Sequence, residues 1–174
     1  MRQNRREFIT TIAAAGAAVP ILSRFDENIL PYSQKRYPVR LFSKPLDKYD
    51  FAFMCDCLKG AGIDGFDLTV RKGGKVDPSV VETRLPELID QASKQNLAID
   101  MMVTEIVSVD DPVTERVIKT ASSSGIKHYR LGYFEFDFKA GILKSLEKHK
   151  AGLKKINSLN KKYQIHGGYQ NHAG

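Results

Sequence analysis

Along this chain the apolar positions change period at regular intervals. Short runs with two-residue alternation give way to longer stretches with an apolar residue every three or four positions, and then the alternation returns. Val39–Ser43, Ile63–Val70, Leu97–Thr104, Ile126–Gly132 and a last run opening near 165 read as strands. Helical patterns lie between them. Leu46, Tyr49, Phe53, Met54, Cys57, Leu58 and Ala61 share one face behind Asp47 as N-cap, and Gly62 ends that helix. Val81, Leu85, Leu88, Ile89 and Ala92 form the stripe of a second helix, opened by Asp77-Pro78 and started or kinked by Pro86. Asp111-Pro112 reads as the N-cap and first residue of a third, with Val113, Val117, Ile118 and Ala121 inward and Gly125 at its end. A fourth carries Ile142, Leu146, His149, Leu153 and Ile156 on its apolar side.

Each gap between strands holds one amphipathic helix, and repeated βα units predict an α/β fold with parallel strands and right-handed crossovers. Two architectures satisfy that repeat, an open doubly wound sheet and a (β/α)8 TIM barrel. No glycine fingerprint follows the first strand, which counts against a dinucleotide-binding sheet. A complete barrel takes about 250 residues. The 174 residues with five strands therefore read as the first five βα units of a barrel, whose open edges predict that these 174 residues alone are unstable or aggregate.

Residues 1–23 have a different character. Arg2, Arg5 and Arg6 precede an apolar, small-residue run from Phe8 to Val19, the charged and apolar regions of an export signal, too short to predict a membrane span. Asn4-Arg5-Arg6-Glu7-Phe8-Ile9 resembles a twin-arginine signal, with Ala15-Gly16-Ala17 as a small-x-small cleavage site. The resemblance implies a bacterial periplasmic protein that meets the membrane only through an uncleaved signal. Residues 24–37 are poorly periodic and read as a linker to the domain at 38–174.

Composition changes this picture little. Hydrophobic residues at 42% and charged residues at 27% are those of an ordinary globular protein. A net charge of +7 raises nucleic acid or an anionic substrate as partner. Between Lys139 and Lys162, however, eight lysines face one acid, Glu147, which accounts for the whole excess. A lysine-coated helix facing water explains it, and no interleaved arginines and aromatics mark a nucleic-acid surface. Cys55 and Cys57, two apart on a helix, point to different faces and form no disulfide framework.

In parallel βα proteins the reactive face lies at the carboxyl ends of the strands. There the chain offers Asp67, Thr69 and Arg71 after strand two, and Thr104 and Glu105 after strand three. Arg130, Tyr133 and Glu135 follow strand four, and Gln170, Asn171 and His172 strand five. Carboxylates, amides, an imidazole and guanidinium groups around one mouth suit a polyhydroxylated or anionic small molecule, with a metal ion helping. His172 is the strongest single candidate, as metal ligand or general acid/base. His128 is less persuasive, and His149 and His166 read as structural. The loop Arg71-Lys72-Gly73-Gly74-Lys75 could hold an anion but lacks the spacing of a nucleotide phosphate loop.

Several of these stretches together carry a resemblance. Gly65-Phe66-Asp67-Leu68-Thr69-Val70-Arg71 with Gly73-Gly74 and Val76, then Leu85-Pro86, Asp111-Pro112, Tyr129-Arg130-Leu131-Gly132-Tyr133 and Tyr169-Gln170-Asn171-His172-Ala173-Gly174, resemble in order and spacing the xylose isomerase-like TIM barrel family of sugar phosphate isomerases and epimerases. The resemblance runs from about residue 38 to Gly174. It implies a (β/α)8 barrel that moves a proton next to a carbonyl of a carbohydrate or sugar phosphate, often with a divalent ion (Mn, Mg, Co or Zn). It also implies substrate contacts from Asp67, Arg71, Thr104, Arg130, Tyr133, Gln170 and Asn171, and a catalytic His172. Gln170 stands where the family carries its first metal-binding Glu, and an amide is a poorer ligand for a hard cation than a carboxylate. Two other readings share these residues: a non-catalytic carbohydrate-binding relative, and a hydrolase like the abasic-site endonucleases. The export signal and the few strand-end histidines weigh against the second.

Overall fold

The structure is a computed structural model that describes residues 36–171. The signal at 1–23, most of the linker and His172 lie outside the described residues. The chain divides between Tyr37 and Pro38, and every element named below belongs to the second unit. These are β1 (Arg40–Phe42), α1 (Phe51–Gly60), β2 (Gly65–Val70), α2 (Val81–Ser93), β3 (Ala98–Thr104), α3 (Thr114–Ser123), β4 (His128–Arg130), α4 (Ile142–Tyr163) and β5 (His166–Gly168). The strands form one sheet in the order β1-β2-β3-β4-β5, and every neighbouring pair is parallel. The mixed α/β class and the parallel βα repeat read from the hydrophobic periods are both present.

One motif recurs at every helix-to-strand junction. Gly62, Asn96, Gly125 and Gln164 each take positive φ just past a helix. The amides of the next residues, Ile63, Leu97, Ile126 and Ile165, return to the carbonyls of Leu58, Ala92, Ala121 and Asn160. These are Schellman closures, in which an apolar residue after the left-handed position tucks back under the helix end and aims the chain into the following strand.

The helix faces follow the predicted stripes in α2 and α3, where Val81, Leu85, Leu88 and Ala92, and Val117, Ile118 and Ala121, are buried. Pro86 falls inside α2 rather than at its start, on the exposed side, so the bond it cannot make leaves only the solvent-facing carbonyl of Glu82 without its partner. Helix α3 opens at Thr114, later than Asp111-Pro112 predicts, because the Asp111 carboxylate instead caps the preceding turn through the Val113 amide at 2.9 Å.

Helix α1 differs more. Its N-cap is Asp50, whose Oδ1 accepts the Ala52 amide at 2.8 Å, and its core face is Phe51, Met54, Cys55 and Leu58. The expected cap, Asp47, turns instead to the Thr69 hydroxyl at 2.8 Å and the Ser43 hydroxyl at 3.0 Å. Tyr49 and Phe53, predicted inward, stay exposed and pack on one another at 5.2 Å. Both cysteines are free. The predicted apolar side of α4 is covered only toward its C-terminal end: Ile156 is buried, while Ile142 and Leu146 are exposed.

Phe66, Leu68 and Val70 of β2, Met102 of β3 and Tyr129 of β4 pack against the helices as the core. The helices are neighbours in chain order, α1 against α2, α2 against α3 and α3 against α4. Gly65 is required where β2 meets β3, since a Cβ there would stand 2.0 Å from the Ala98 carbonyl oxygen. Beyond that contact the register slips by one: Phe66 pairs with Ile99 but Asp67 with Met101, which leaves Asp100 as the extra residue of a bulge.

Candidate functional site

Register decides which side chains share the sheet face opposite the core. Asp67 pairs with Met101, Met101 with His128, and His128 with His166, while Val103 pairs with Arg130 and Arg130 with Gly168. Residues paired across adjacent strands project to the same side, so these positions form one inner face. Asp67, Met101, His128, Arg130, His166 and Gln170 line a cavity of about 410 Å3 there.

Arg130 is the hub of this face. Its Nη1 donates to the Tyr133 hydroxyl at 2.6 Å and to Gln170 Oε1 at 3.3 Å. Its guanidinium carbon lies 4.9 Å from the Tyr133 ring centre and 5.9 Å from that of Phe42, a cation–π arrangement that holds the plane in place. Its Nε is buried and has no hydrogen-bond partner, and among the described residues it shares that state with one other side-chain atom, Asp67 Oδ1. The two charges sense each other. Burial pushes the Asp67 carboxyl above the ordinary carboxylate range, the Arg130 charge pulls it back in part, and Asp100 adds to the rise. Two residues that line one hollow, with a strand between them, thus each keep a buried polar atom unpaired, a carboxylate oxygen and an N–H. Leaving a buried polar atom unpaired costs about 1–3 kcal/mol, which a ligand able to donate to one and accept from the other would recover.

The other predicted residues divide. Tyr133 and Gln170 join Arg130 directly. Thr104 lies on the opposite parity, paired with Val70, and its hydroxyl donates to the Arg130 carbonyl at 2.8 Å while accepting the Ile106 amide at 3.2 Å. Its one donor is spent on backbone and the residue is buried, so it braces Arg130 from behind the inner face. Arg71 stands at the end of β2 with its amide bonded to Val76; among the described residues no hydrogen bond or ion pair joins its guanidinium to Asp67, Arg130 or Gln170. Asn171 is exposed beyond Gln170. Glu105 and Glu135 are exposed, and the Glu135 carbonyl meets His149 Nε2 at 2.9 Å, which ties His149 to the loop before α4.

Two features of the face escape a reading of single motifs. Arg40 of β1 grips Asp100 through Nε–Oδ1 and Nη2–Oδ2 bonds, both 2.7 Å, and this pairing holds the Asp100 carboxyl below its ordinary range. Nearer the carboxyl ends of β1 and β2, Thr69 Oγ1 donates to Asp47 and accepts the Lys75 amide at 2.8 Å. Lys75 Nζ reaches the carbonyls of Asp47 and Tyr49. The Gly-Gly loop is thereby tied down by its own lysine, which leaves that lysine a structural task. Two-residue parity combined with strand pairing is the signal that would have found both.

A divalent ion wants several oxygen ligands, carboxylates foremost. Among the described residues no three His, Cys, Asp or Glu side chains come together in such a set. The face supplies one free carboxylate, Asp67, beside a guanidinium that repels a dication, because Asp100 is already engaged by Arg40. These residues fit an uncharged hydroxyl or an anion better than a hard cation.

The sequence matches no protein-family model and no curated protein.

Proposed function

We propose that this chain is the amino-terminal part of a xylose isomerase-like (β/α)8 barrel, a periplasmic isomerase or epimerase of sugars or sugar phosphates. Two features support the barrel. The strand order is sequential, without the reversal that creates the crevice of doubly wound sheets. Consecutive helices also neighbour one another over the apolar face while the other face carries charge. The reading predicts three further βα units encoded after Gly174, with Asp, His and Glu at their strand ends. A stop codon directly after Gly174 would contradict it.

One observation carries the ligand class: Asp67 and Arg130, each with one buried polar atom left unpaired, line one cavity. A sugar hydroxyl is both donor and acceptor and has the chemistry to pair with either residue. Arg130, already oriented by Phe42 and Tyr133, has the charge to hold a phosphate or an enediolate oxygen. Asp67, with its proton held more tightly than usual, suits a group that gives or takes a proton beside a carbonyl. Calorimetric titration with aldose and ketose phosphates tests this. Binding weakened about tenfold or more by both Asp67→Asn and Arg130→Gln is expected; equal binding by all three proteins would refute it.

A non-catalytic carbohydrate-binding relative is favoured by one contact, the Arg130–Gln170 hydrogen bond, which puts a neutral amide where the family holds a metal. Deuterium uptake in D2O at the carbon beside the sugar carbonyl, measured on the full-length protein, separates the readings: exchange supports the isomerase, and binding without exchange the relative.

A further inference from the structure

At the amino-terminal end of the same face, three side chains unused by that reading form a row. Met101, His128 and His166 are direct partners across β3, β4 and β5, so all three project into the hollow at one level. All three are exposed, Met101 at 39%. The rings of His128 and His166 are stacked, with centres 5.6 Å apart. Imidazoles that share one ion at about 2.0–2.1 Å per nitrogen have ring centres about 5.5–6.5 Å apart. The rings therefore need rotation about their own side-chain bonds, with no movement of the strands, to aim a nitrogen each at a common point. No hydrogen bond among the described residues holds either ring in its stacked pose. Asp100 is taken by both bonds from Arg40, and Asp67 continues the row on β2 as the partner of Met101, so the β3–β5 part of the row offers two imidazoles and a thioether.

We propose that Met101, His128 and His166 bind a soft transition-metal ion, copper(I), at the floor of the cavity. Thioether and imidazole ligands select copper(I) over magnesium, calcium or manganese, which need oxygen. Three neutral donors also leave the net positive charge of a monovalent ion, and Asp67, the partner of Met101 on β2, is the carboxylate in line to offset it. This site adjoins the Asp67–Arg130–Gln170 group in the same cavity but uses different side chains and does not depend on the carbohydrate reading.

Anaerobic titration of the chain with copper(I) against a chromophoric chelator tests the site. One equivalent should bind, and the ring-proton resonances of two histidines should shift together in the unmodified protein. His128→Gln and His166→Gln should each weaken binding about tenfold or more, and Met101→Leu by about severalfold. His149→Gln should leave it unchanged. Circular dichroism identifies any variant that fails to fold, and the histidine resonances of the unmodified protein give the answer without it. Absence of stoichiometric uptake, or copper bound as tightly by both histidine variants as by the original, would overturn the assignment.

Discussion

The two faces of the sheet obey different rules. On the outer face, Phe66, Leu68, Met102 and Tyr129 are packed to near-zero exposure under helices, and among the described residues no buried side-chain polar atom there lacks a partner, as in the Tyr129 hydroxyl bond to Asn160 at 2.9 Å. On the inner face, Met101 is 39% exposed, Arg40 and Asp100 pair with each other, and Asp67 and Arg130 keep atoms without partners. Sheets built of βα units ordinarily cover both faces with helices. Here one face carries the stability, and the other is free to carry chemistry.

The largest effect that separates the faces is cavity formation. Phe66→Ala should lower the unfolding free energy by about 3–5 kcal/mol, whereas Met101→Ala should cost less than about 1 kcal/mol; urea denaturation of both measures it. Similar losses would break the distinction between the faces. Next comes Gly167→Ala. A Cβ there would stand 2.8 Å from the Tyr129 ring and 3.0 Å from Asn160 Nδ2, so about 1–3 kcal/mol should be lost through overpacking. Little should be lost at Gly168, on the inner side, where the closest atom is 4.0 Å away.

A smaller effect appears at high pH. Burial, opposed in part by the Asn160 bond, pushes the Tyr129 phenol up to about 12. A raised folded value means that the neutral phenol stabilises the fold fully below the unfolded value of about 10. That contribution is lost as pH rises toward 12. Tyr129→Phe should therefore remove this alkaline sensitivity and, by stranding Asn160, cost about 1–2 kcal/mol at neutral pH; denaturant midpoints at several pH values check both.

The smallest effect sharpens the inner face itself, where two carboxylates shift oppositely. Asp67 is raised by burial, so its contribution is full below the unfolded value of about 3.9 and declines above it. Asp100 is lowered by its bond to Arg40, so its contribution is present above that value and disappears as pH falls through its depressed folded value. In acid-unfolding curves Asp67→Asn should stabilise the protein slightly at neutral pH, and Asp100→Asn should destabilise it there.

The order of strands and helices was legible because each βα unit repeats its hydrophobic period, and two of the four helix ends carry a glycine at the turn. What failed was decided by distant partners. Asp47 and Asp50 are equally good caps locally, and only Thr69, brought close by β1–β2 pairing, draws Asp47 away. The stripe on α4 has the right period, but period does not say which part of a stripe is covered. Of the candidate site residues, Arg130, Tyr133 and Gln170 meet one another because they cluster at strand ends. Thr104 looked equivalent, yet two-residue parity sends it to the other side. That His128 and His166 are paired shows only in the register between two strands, and the bulge at Asp100 that brings Met101 into line with Asp67 has no local signature.

The most direct test of the inner face as the ligand-binding surface is a backbone-amide NMR titration with a ketose phosphate. The account predicts shifts concentrated at Asp67, Arg130, Gly168 and Gln170, with the outer helices silent, and their loss in Arg130→Gln. Shifts spread instead along the lysines of α4, unchanged by Arg130→Gln, would mean that the phosphate is held by that charged helix and would contradict it.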